Sequence, residues 1–414
     1  MSETKNPAAD RGSLVSDGEA AIRECRHAWS ELLDALGIDP ANGPAHVARA
    51  LESDVKSAWM LVHLTEQNES VDLLQRGRFV PGPRTSSRIL RGLAGHDVPQ
   101  STTAAVERAS RGFQELLKRH TRDRGSFDLL LAGAAGSDPL QAELEQRRAA
   151  LRSNSYLFGL RAGLQLKTVV LARSKTESDR VDAAVVAGFA ELQRIREHVP
   201  WRLVSAHSID DHGEVTHNAR VTPLDPAVEP GAPPLMLDFC EPGAPDLEPL
   251  GSIGGATEFG LRPVEPSARQ RETCVVGEMM RSIEPRFRTE EHRTSAVTMR
   301  LHTPCEEAVL DIFLERGLLG STPQYSAQLY SGLFAGRQLG PFLPQDRLTL
   351  HETIEGPIPS DSTHLPSLPR YDELLDRLFE RGEWERERFE LYRLRIPFPI
   401  VPTAVLVDAP LERR

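Results

Sequence analysis

The sequence predicts a two-part α+β protein, in which an all-helical N-terminal domain precedes a strand-rich α+β or barrel-like domain. Eight prolines fall in residues 1–200 and 23 in residues 201–414. Because proline breaks helix interiors, the second part cannot be largely helical. Apolar residues recur at three- and four-residue steps in the first part and form short runs in the second. We expect a disordered terminus over 1–15, a helical domain over 16–199 and a strand-rich domain over 200–414.

The composition is that of a globular protein. Apolar residues make up 39% of the 414 and charged residues 26%, near the average for soluble domains. No run approaches the ~20 apolar residues that cross a bilayer, and the first 16 residues lack the basic-then-apolar order of a signal peptide. Four cysteines without a CxxC pair argue against a disulfide framework. These features predict a cytoplasmic protein without a membrane partner.

Charge is unevenly distributed along the chain. The formal net charge is −11 overall, but residues 1–200 carry +1 and residues 201–414 carry −12. Residues 73–124 hold 11 Lys and Arg against four acids. A local basic surplus inside an acidic chain is typical of a nucleic-acid-binding surface.

Amphipathic patterns with start signals predict four long helices in the first part. Ser16 followed by Glu19 has capping-box spacing, and Pro139 after Asp138 suits the first turn of a helix. The predicted helices begin at Ser16, Ser101, Asp138 and Arg180, the third continuing past Gly159 and Gly163 to Leu164 and the last ending at Val199.

Residues 44–65 have the outline of a helix-turn-helix. A short helix over 44–51, a polar turn and a longer helix over 55–65 follow one another. The turn contains no glycine, and two short core helices that read no DNA are the alternative. The apolar residues expected to pack the two helices together are Val47, Ala48, Leu51, Ala58, Leu61 and Val62. The side chains expected to read bases are Lys56, Ser57, Met60 and His63.

Three arginines follow at helical spacing. Thr85-Ser86-Ser87 opens a helix on which Arg84, Arg88 and Arg91 lie on or near one face. Helix starts present free backbone N–H groups that bind anions. The pattern indicates contacts to DNA phosphates, and a solvated basic helix face is the alternative.

Three short segments of the first part resemble a bacterial group of helix-turn-helix-type proteins. The segments are His120-Thr121-Arg122-Asp123-Arg124, Arg147-Arg148-Ala149-Ala150 and Asn154-Ser155-Tyr156-Leu157-Phe158-Gly159. The resemblance implies a DNA reader joined to an effector or oligomerisation module. It implies no catalytic residue.

The second part offers few chemical motifs. A loop over 221–249 contains eight prolines. Glu307, Asp311 and Glu315 would share a face if their segment were helical, and could then act as paired carboxylates. His207, His212 and His217 are spaced by five, which sends neighbouring strand side chains to opposite faces. The sequence therefore predicts no metal site, no cofactor and no recognisable catalytic motif.

The leading hypothesis is a DNA-binding transcriptional regulator that can form a homodimer and whose acidic second domain binds a small ligand or a protein partner. One alternative is a structural or scaffold protein that oligomerises through the helical half, with Gly159 and Gly163 allowing close helix packing. A third is a hydrolase or transferase that uses the carboxylates of the second half.

Overall fold

The computed structural model divides the chain into two compact units, Met1–Glu143 and Leu144–Arg414. This division falls earlier than the predicted boundary at residue 199. Each unit is considered by itself below. The described residues are 7–66, 73–121, 123–134, 139–197, 201–204, 208–209, 215–216, 221–229, 232–243, 245–253, 256–263, 271–320, 323–331, 342–359 and 363–414.

The first unit is helical around one apolar core. Trp29, Phe113 and Phe127 are fully buried in it. The first helix begins at Pro7, so the prediction of disorder over residues 1–15 is wrong from residue 7 onward. Leu14 explains the difference, because it is buried and extends the apolar stripe by another turn. The helices are α1 Pro7–Ala35, α2 Pro44–Ala50, α3 Val55–Thr65, α4 Leu73–Arg76, α5 Pro83–Gly92, α6 Gln100–His120, α7 Arg124–Ala134 and α8 Pro139–Phe158, the last of which crosses into the second unit.

The second unit is built mainly from strands. One further helix, α9 Tyr371–Gly382, lies near its C-terminal end. The longer strands are β1 Leu160–Arg173, β2 Arg180–Arg194, β9 Glu272–Pro285, β10 Thr294–Leu301, β11 Cys305–Glu315, β12 Ser326–Ser331, β15 Phe389–Pro397 and β16 Thr403–Pro410. The others are β3 Trp201–Val204, β4 Ser208–Ile209, β5 Val215–Thr216, β6 Val221–Pro223, β7 Leu247–Ile253, β8 Ala256–Leu261, β13 Arg347–Leu348 and β14 Glu355–Ile358.

The prediction that the helical domain continues to residue 199 is wrong. Helix α8 ends before Gly159, whose φ of 76° is left-handed, and residues 160–173 and 180–194 are strands. Both strands are central in a sheet and buried on both faces. Such strands read as near-continuous apolar runs, which also match a helical period. Gly163 therefore lies in β1, and the close helix packing inferred from the two glycines does not occur.

Three layers form the second unit. A seven-stranded sheet in the order β14-β15-β11-β1-β2-β9-β6 lies in the middle, with β1 and β11 parallel. One face packs against a four-stranded sheet in the order β10-β16-β12-β13. Helix α9 covers the other face through Leu374, Leu375 and Leu378. The large sheet has two different edge strands, so the unit is α+β rather than a closed barrel.

The proline-rich segment 221–249 has little regular structure in its described part. Strand β6 opens it, β7 begins near its end, and a single 3-10 turn spans Leu237–Phe239. In the described portion of the chain, no helix has both the length and the apolar character needed to cross a membrane.

Candidate nucleic-acid interface

Helices α2 and α3 occupy the two segments expected for a helix pair. The turn between them contains Glu52 with φ of 47°, the left-handed conformation in which glycine would be unstrained. Asp54 then caps α3, since its carboxylate accepts a hydrogen bond of 2.8 Å from the Ser57 backbone N–H. A short helix, a tight turn and a capped second helix are thus present.

The two helices pack through the residues expected from the sequence. These residues are small or apolar, and all but one are buried in the core of the first unit. Val47, Ala48, Leu51, Ala58 and Leu61 are in that core, and Val62 is partly buried against it.

The four side chains expected to read bases differ in exposure. Lys56 is exposed, whereas Met60 and His63 are half-buried. Ser57 is buried, so its expected exposure is wrong: its hydroxyl donates a hydrogen bond of 2.8 Å to Asp54. The ring of His63 stacks on that of Phe79, with centroids 5.1 Å apart.

Two apolar residues of α3 are exposed, although the sequence analysis placed neither of them at the DNA-reading surface. Val55 is 59% and Trp59 45% exposed. The indole of Trp59 contacts His63 and Phe79 edge-on, with ring centroids 4.4 and 5.3 Å apart. Trp59 was missed because an apolar residue in a helical pattern is ordinarily counted as core.

The N-terminus of α5 lacks a compensating negative charge. Its N-cap residue is Gly82, which offers no side-chain cap, and Pro83 follows. The first turn contains Arg84 and no acid. Since the positive end of a helix dipole favours anions and disfavours cations, this terminus is electrostatically suited to bind a negatively charged group.

Arg84, Arg88 and Arg91 form what we call the arginine surface of α5. All three are exposed, and they line one shallow concavity of about 460 Å³. Among the described residues, the Arg84 guanidinium has no ion pair or hydrogen-bond partner, while Arg91 hydrogen-bonds only to its own helix, at the Ser87 carbonyl, 3.2 Å away. The expected shared face is therefore present.

Arg88 differs from the other two because it joins α5 to α3. Its guanidinium donates a hydrogen bond to the Asp54 carboxylate and another, of 2.9 Å, to the Ser57 hydroxyl. Hydrogen bonds from the backbone and hydroxyl of Ser57, together with the charge of Arg88, hold the pKa of Asp54 below its usual value. Arg88 therefore positions the arginine surface beside the start of α3.

Several of the 11 basic residues in 73–124 have structural roles instead. Arg76 is buried and donates hydrogen bonds to the backbone carbonyls of His63 and Glu66. Arg124 hydrogen-bonds to the Val80 carbonyl at 3.3 Å. The basic surplus read from the sequence therefore overstates the charge available to a ligand.

The carboxylates proposed for catalysis lie on strand β11, not on a helix, and each contacts arginine. Arg395 donates to Glu307 at 2.8 Å. Asp311 is fully buried and accepts two hydrogen bonds from Arg393, at 2.7 and 2.6 Å. Both Arg173 and Arg388 lie 2.7 Å from Glu315. Side chains four apart on a strand do share a face, but these are held in ion pairs within the sheet.

A second concave surface of about 450 Å³ lies in the second unit beside α8. Arg161 there pairs with Glu306, and the Arg148 guanidinium lies 4.7 Å from the centre of the Phe398 ring. Arg152 is exposed at the same surface. Because two of its three arginines already have partners, this surface is less suited to bind an anion than the arginine surface of α5.

Within the described ranges, no cluster of three or more His, Cys, Asp or Glu side chains has a geometry that could hold a metal ion. His207, His212 and His217 lie outside the described residues. No family model matches the chain, and no curated protein matches it either.

Proposed function

We propose that the chain is a DNA-binding regulator that contacts duplex DNA through the arginine surface of α5 and the exposed side of α3. One observation carries the proposal: Arg84, Arg88 and Arg91 are exposed together along one side of α5, a helix whose start has no side-chain cap. Arginine and helix N-termini are the groups that proteins use to hold DNA phosphates.

The connection between α5 and α3 supports a division of roles. Phosphate contacts fix the position of a protein on DNA, and side chains on a neighbouring element read the bases. Arg88 ties α5 to the capped start of α3, where Lys56 and Trp59 are exposed. Phosphates bound at α5 would therefore bring the first turns of α3 next to the duplex.

The acidic second half has a complementary role in this proposal. Residues 201–414 carry a formal charge of −12, which repels nucleic acid and so confines binding to the basic surface. We assign to this part the binding of a ligand or protein partner that would alter DNA binding.

Fluorescence anisotropy of labelled duplex fragments at low salt tests the proposal. The purified chain should raise the anisotropy of duplex DNA saturably, with an affinity that falls as salt increases because phosphate contacts release counterions. Absence of any anisotropy change across a set of genomic fragments would contradict it.

A further inference from the structure

Two cysteines of the second unit face each other across an antiparallel backbone contact. Glu241 and Thr273 exchange both backbone hydrogen bonds, at 2.9 and 2.7 Å. The next pair in this register is Cys240 opposite Cys274, which is a pair without mutual backbone hydrogen bonds. Such pairs bring Cα atoms to about 4.5 Å, within the range of about 4.4 to 6.8 Å that a disulfide spans.

The two sulfur atoms already interact. The Cys274 thiol hydrogen-bonds to the Cys240 sulfur, which lowers the pKa of Cys240 and raises that of Cys274. Both side chains are buried, in a small cluster with Leu235 and Val276. The Cys240 thiol also donates hydrogen bonds to the Met236 and Val275 carbonyls, at 3.4 and 3.7 Å, and it must lose this proton before it reacts. We assign the first reaction to Cys240 because its pKa is lowered whereas that of Cys274 is raised.

The other two cysteines have no such neighbour. Cys25 is buried in the helical unit, where burial raises its pKa to about 12. Cys305 is buried in β11, and burial likewise raises its pKa. Thiols with raised pKa values are poor nucleophiles, so these two serve as internal controls.

The backbone around Cys240 determines how an oxidant reaches the pair. Residues 232–243 lie beside β9, to which backbone hydrogen bonds at Pro234, Met236 and Glu241 hold them. Met236 and Phe239 of this segment are buried in the same core as the leucines of α9. Arg370 donates a hydrogen bond of 2.5 Å to the Asp238 carbonyl and lies over the Phe239 ring, 4.9 Å from its centre. An oxidant reaches the buried sulfur only when this segment opens locally and these hydrogen bonds break, so oxidation of the folded chain should be slow.

We propose that Cys240 and Cys274 are a redox modification site that forms a reversible intramolecular disulfide on reaction with a small peroxide. The Cys240 thiolate attacks one peroxide oxygen, the O–O bond breaks, and a sulfenic acid and a first water result. The Cys274 sulfur, as it loses its proton, then attacks the Cys240 sulfur; the S–O bond breaks and a second water leaves. Two thiols are oxidised by two electrons, and one hydrogen peroxide is reduced to two waters. A small dithiol reductant reverses the modification by thiol–disulfide exchange.

Mass spectrometry of the full chain tests the proposal. The protein is treated with hydrogen peroxide, its remaining thiols are alkylated, and it is digested with trypsin without reduction. The expected product joins the peptide 221–269 to the peptide 272–281, is two hydrogen masses lighter than their sum, and disappears after treatment with dithiothreitol. The oxidised chain should also melt a few degrees higher, because the disulfide restricts the unfolded state.

Three variants make the outcome decisive. Cys25→Ser combined with Cys305→Ser should leave the linked peptide unchanged, and Cys240→Ser should abolish it. Cys274→Ser should stop the reaction at the Cys240 sulfenic acid, which a dimedone adduct at Cys240 reports. The proposal is overturned if folded wild-type protein, monitored by circular dichroism, yields no linked peptide, or if Cys25 and Cys305 react as readily as Cys240.

Discussion

Arg88 of α5 hydrogen-bonds to Asp54, the residue that caps α3, although 34 positions separate them in the chain. The same guanidinium contacts the Ser57 hydroxyl at 2.9 Å. The Asp54 carboxylate thus caps the N-terminus of α3 and also binds Arg88 of α5. The proposed phosphate-binding helix and the proposed base-reading helix therefore contact each other.

The contribution of the Asp54 cap to the free energy of unfolding should be measurable. Replacing Asp54 by Ala removes the acceptor for the Ser57 N–H and should lower the free energy of unfolding by about 1 kcal/mol. Asp54→Asn keeps a capping oxygen but loses the charge, and should cost less. Urea denaturation of the two variants checks the difference. Equal stability of Asp54→Ala and wild type would show that the cap contributes nothing.

If α3 reads bases, substitutions on its exposed side should change which duplex sequences the chain prefers, rather than its affinity for all DNA. Lys56→Ala should alter the relative affinities for different duplex sequences, because Lys56 is exposed on the first turn of α3. Lys118→Ala, an exposed lysine in the last turn of α6, is the control and should leave the ranking unchanged. Selection from a random duplex library measures both. An unchanged ranking for Lys56→Ala would remove that residue from the proposed base-reading set.

The buried pair of Asp311 and Arg393 should be important for the stability of the second unit. Asp311→Asn leaves the Arg393 charge without its partner in the interior, a change that typically costs about 3 to 5 kcal/mol. Tyr371→Phe keeps the ion pair but removes the hydrogen bond of 2.6 Å from the tyrosine hydroxyl to Asp311 and that of 2.8 Å between the same hydroxyl and Thr168, and should cost on the order of 1 kcal/mol.

Chemical denaturation followed by circular dichroism gives both values. Glu383→Gln is the control, since Glu383 pairs with Lys175 at an exposed position and surface pairs contribute little. If Asp311→Asn were no more destabilising than Glu383→Gln, the buried pair would have no special importance.

The shifted pKa values of Glu278 and Lys167 lead us to expect that the free energy of unfolding first falls and then rises as pH increases. They lie on one face of the seven-stranded sheet, on β9 and β1, with β2 between them. Burial raises the pKa of Glu278 to about 7 and lowers that of Lys167 to about 8, in each case against the attraction of the partner charge. The Lys167 ammonium also donates a hydrogen bond of 2.7 Å to the Thr298 carbonyl.

Whether the free energy of unfolding rises or falls with pH depends on which state of the chain, folded or unfolded, binds more protons. Between about pH 4.5 and pH 7 the folded chain keeps the Glu278 proton that the unfolded chain has lost, so this group makes the free energy of unfolding fall as pH rises. Between about pH 8 and 10.5 the unfolded chain holds the Lys167 proton more strongly, so stability rises again.

Urea denaturation across the pH range tests this dependence. Glu278→Gln should remove a fall on the order of 2 kcal/mol between pH 4.5 and 7. Glu387→Gln, at an exposed position, should preserve it. An identical pH profile for Glu278→Gln and wild type would contradict the burial argument.

Local signals predicted the helices of the first unit well and the central strands poorly. The polar turn before residue 55 locates the start of α3, and Thr85-Ser86-Ser87 locates the start of α5 to within two residues, because helix start signals are local interactions. Val181, Val185 and Phe189 also match a helical period, yet they lie on β2. Their burial between two layers depends on strands distant in sequence, which no local pattern contains.

At the candidate site, too, features that depend on local sequence were predicted, and features that depend on tertiary contacts were not. Helical spacing alone placed Arg84, Arg88 and Arg91 on one face. The contact of Arg88 with Asp54, and the facing of Cys240 and Cys274, depend on tertiary packing and strand register, so the sequence could not indicate them. The expected surface exposure of Ser57 is wrong because its hydroxyl turns back to the carboxylate of the cap residue Asp54, three positions earlier in the chain.

The salt dependence of DNA binding tests the central claim most directly. Arg84→Ala combined with Arg91→Ala removes the two arginines of the surface that have no contact with Asp54. The slope of log affinity against log salt should become shallower by about 1.8, since each lost phosphate contact contributes about 0.9. The fold should be retained, because substitutions at exposed positions usually change stability by about 0.5 kcal/mol or less. Arg377→Ala with Arg381→Ala, an equal charge change on an exposed face of α9, should leave the slope unchanged. A slope for the Arg84 and Arg91 variant equal to that of wild type or of the α9 control would contradict the proposal that the arginine surface binds DNA phosphates.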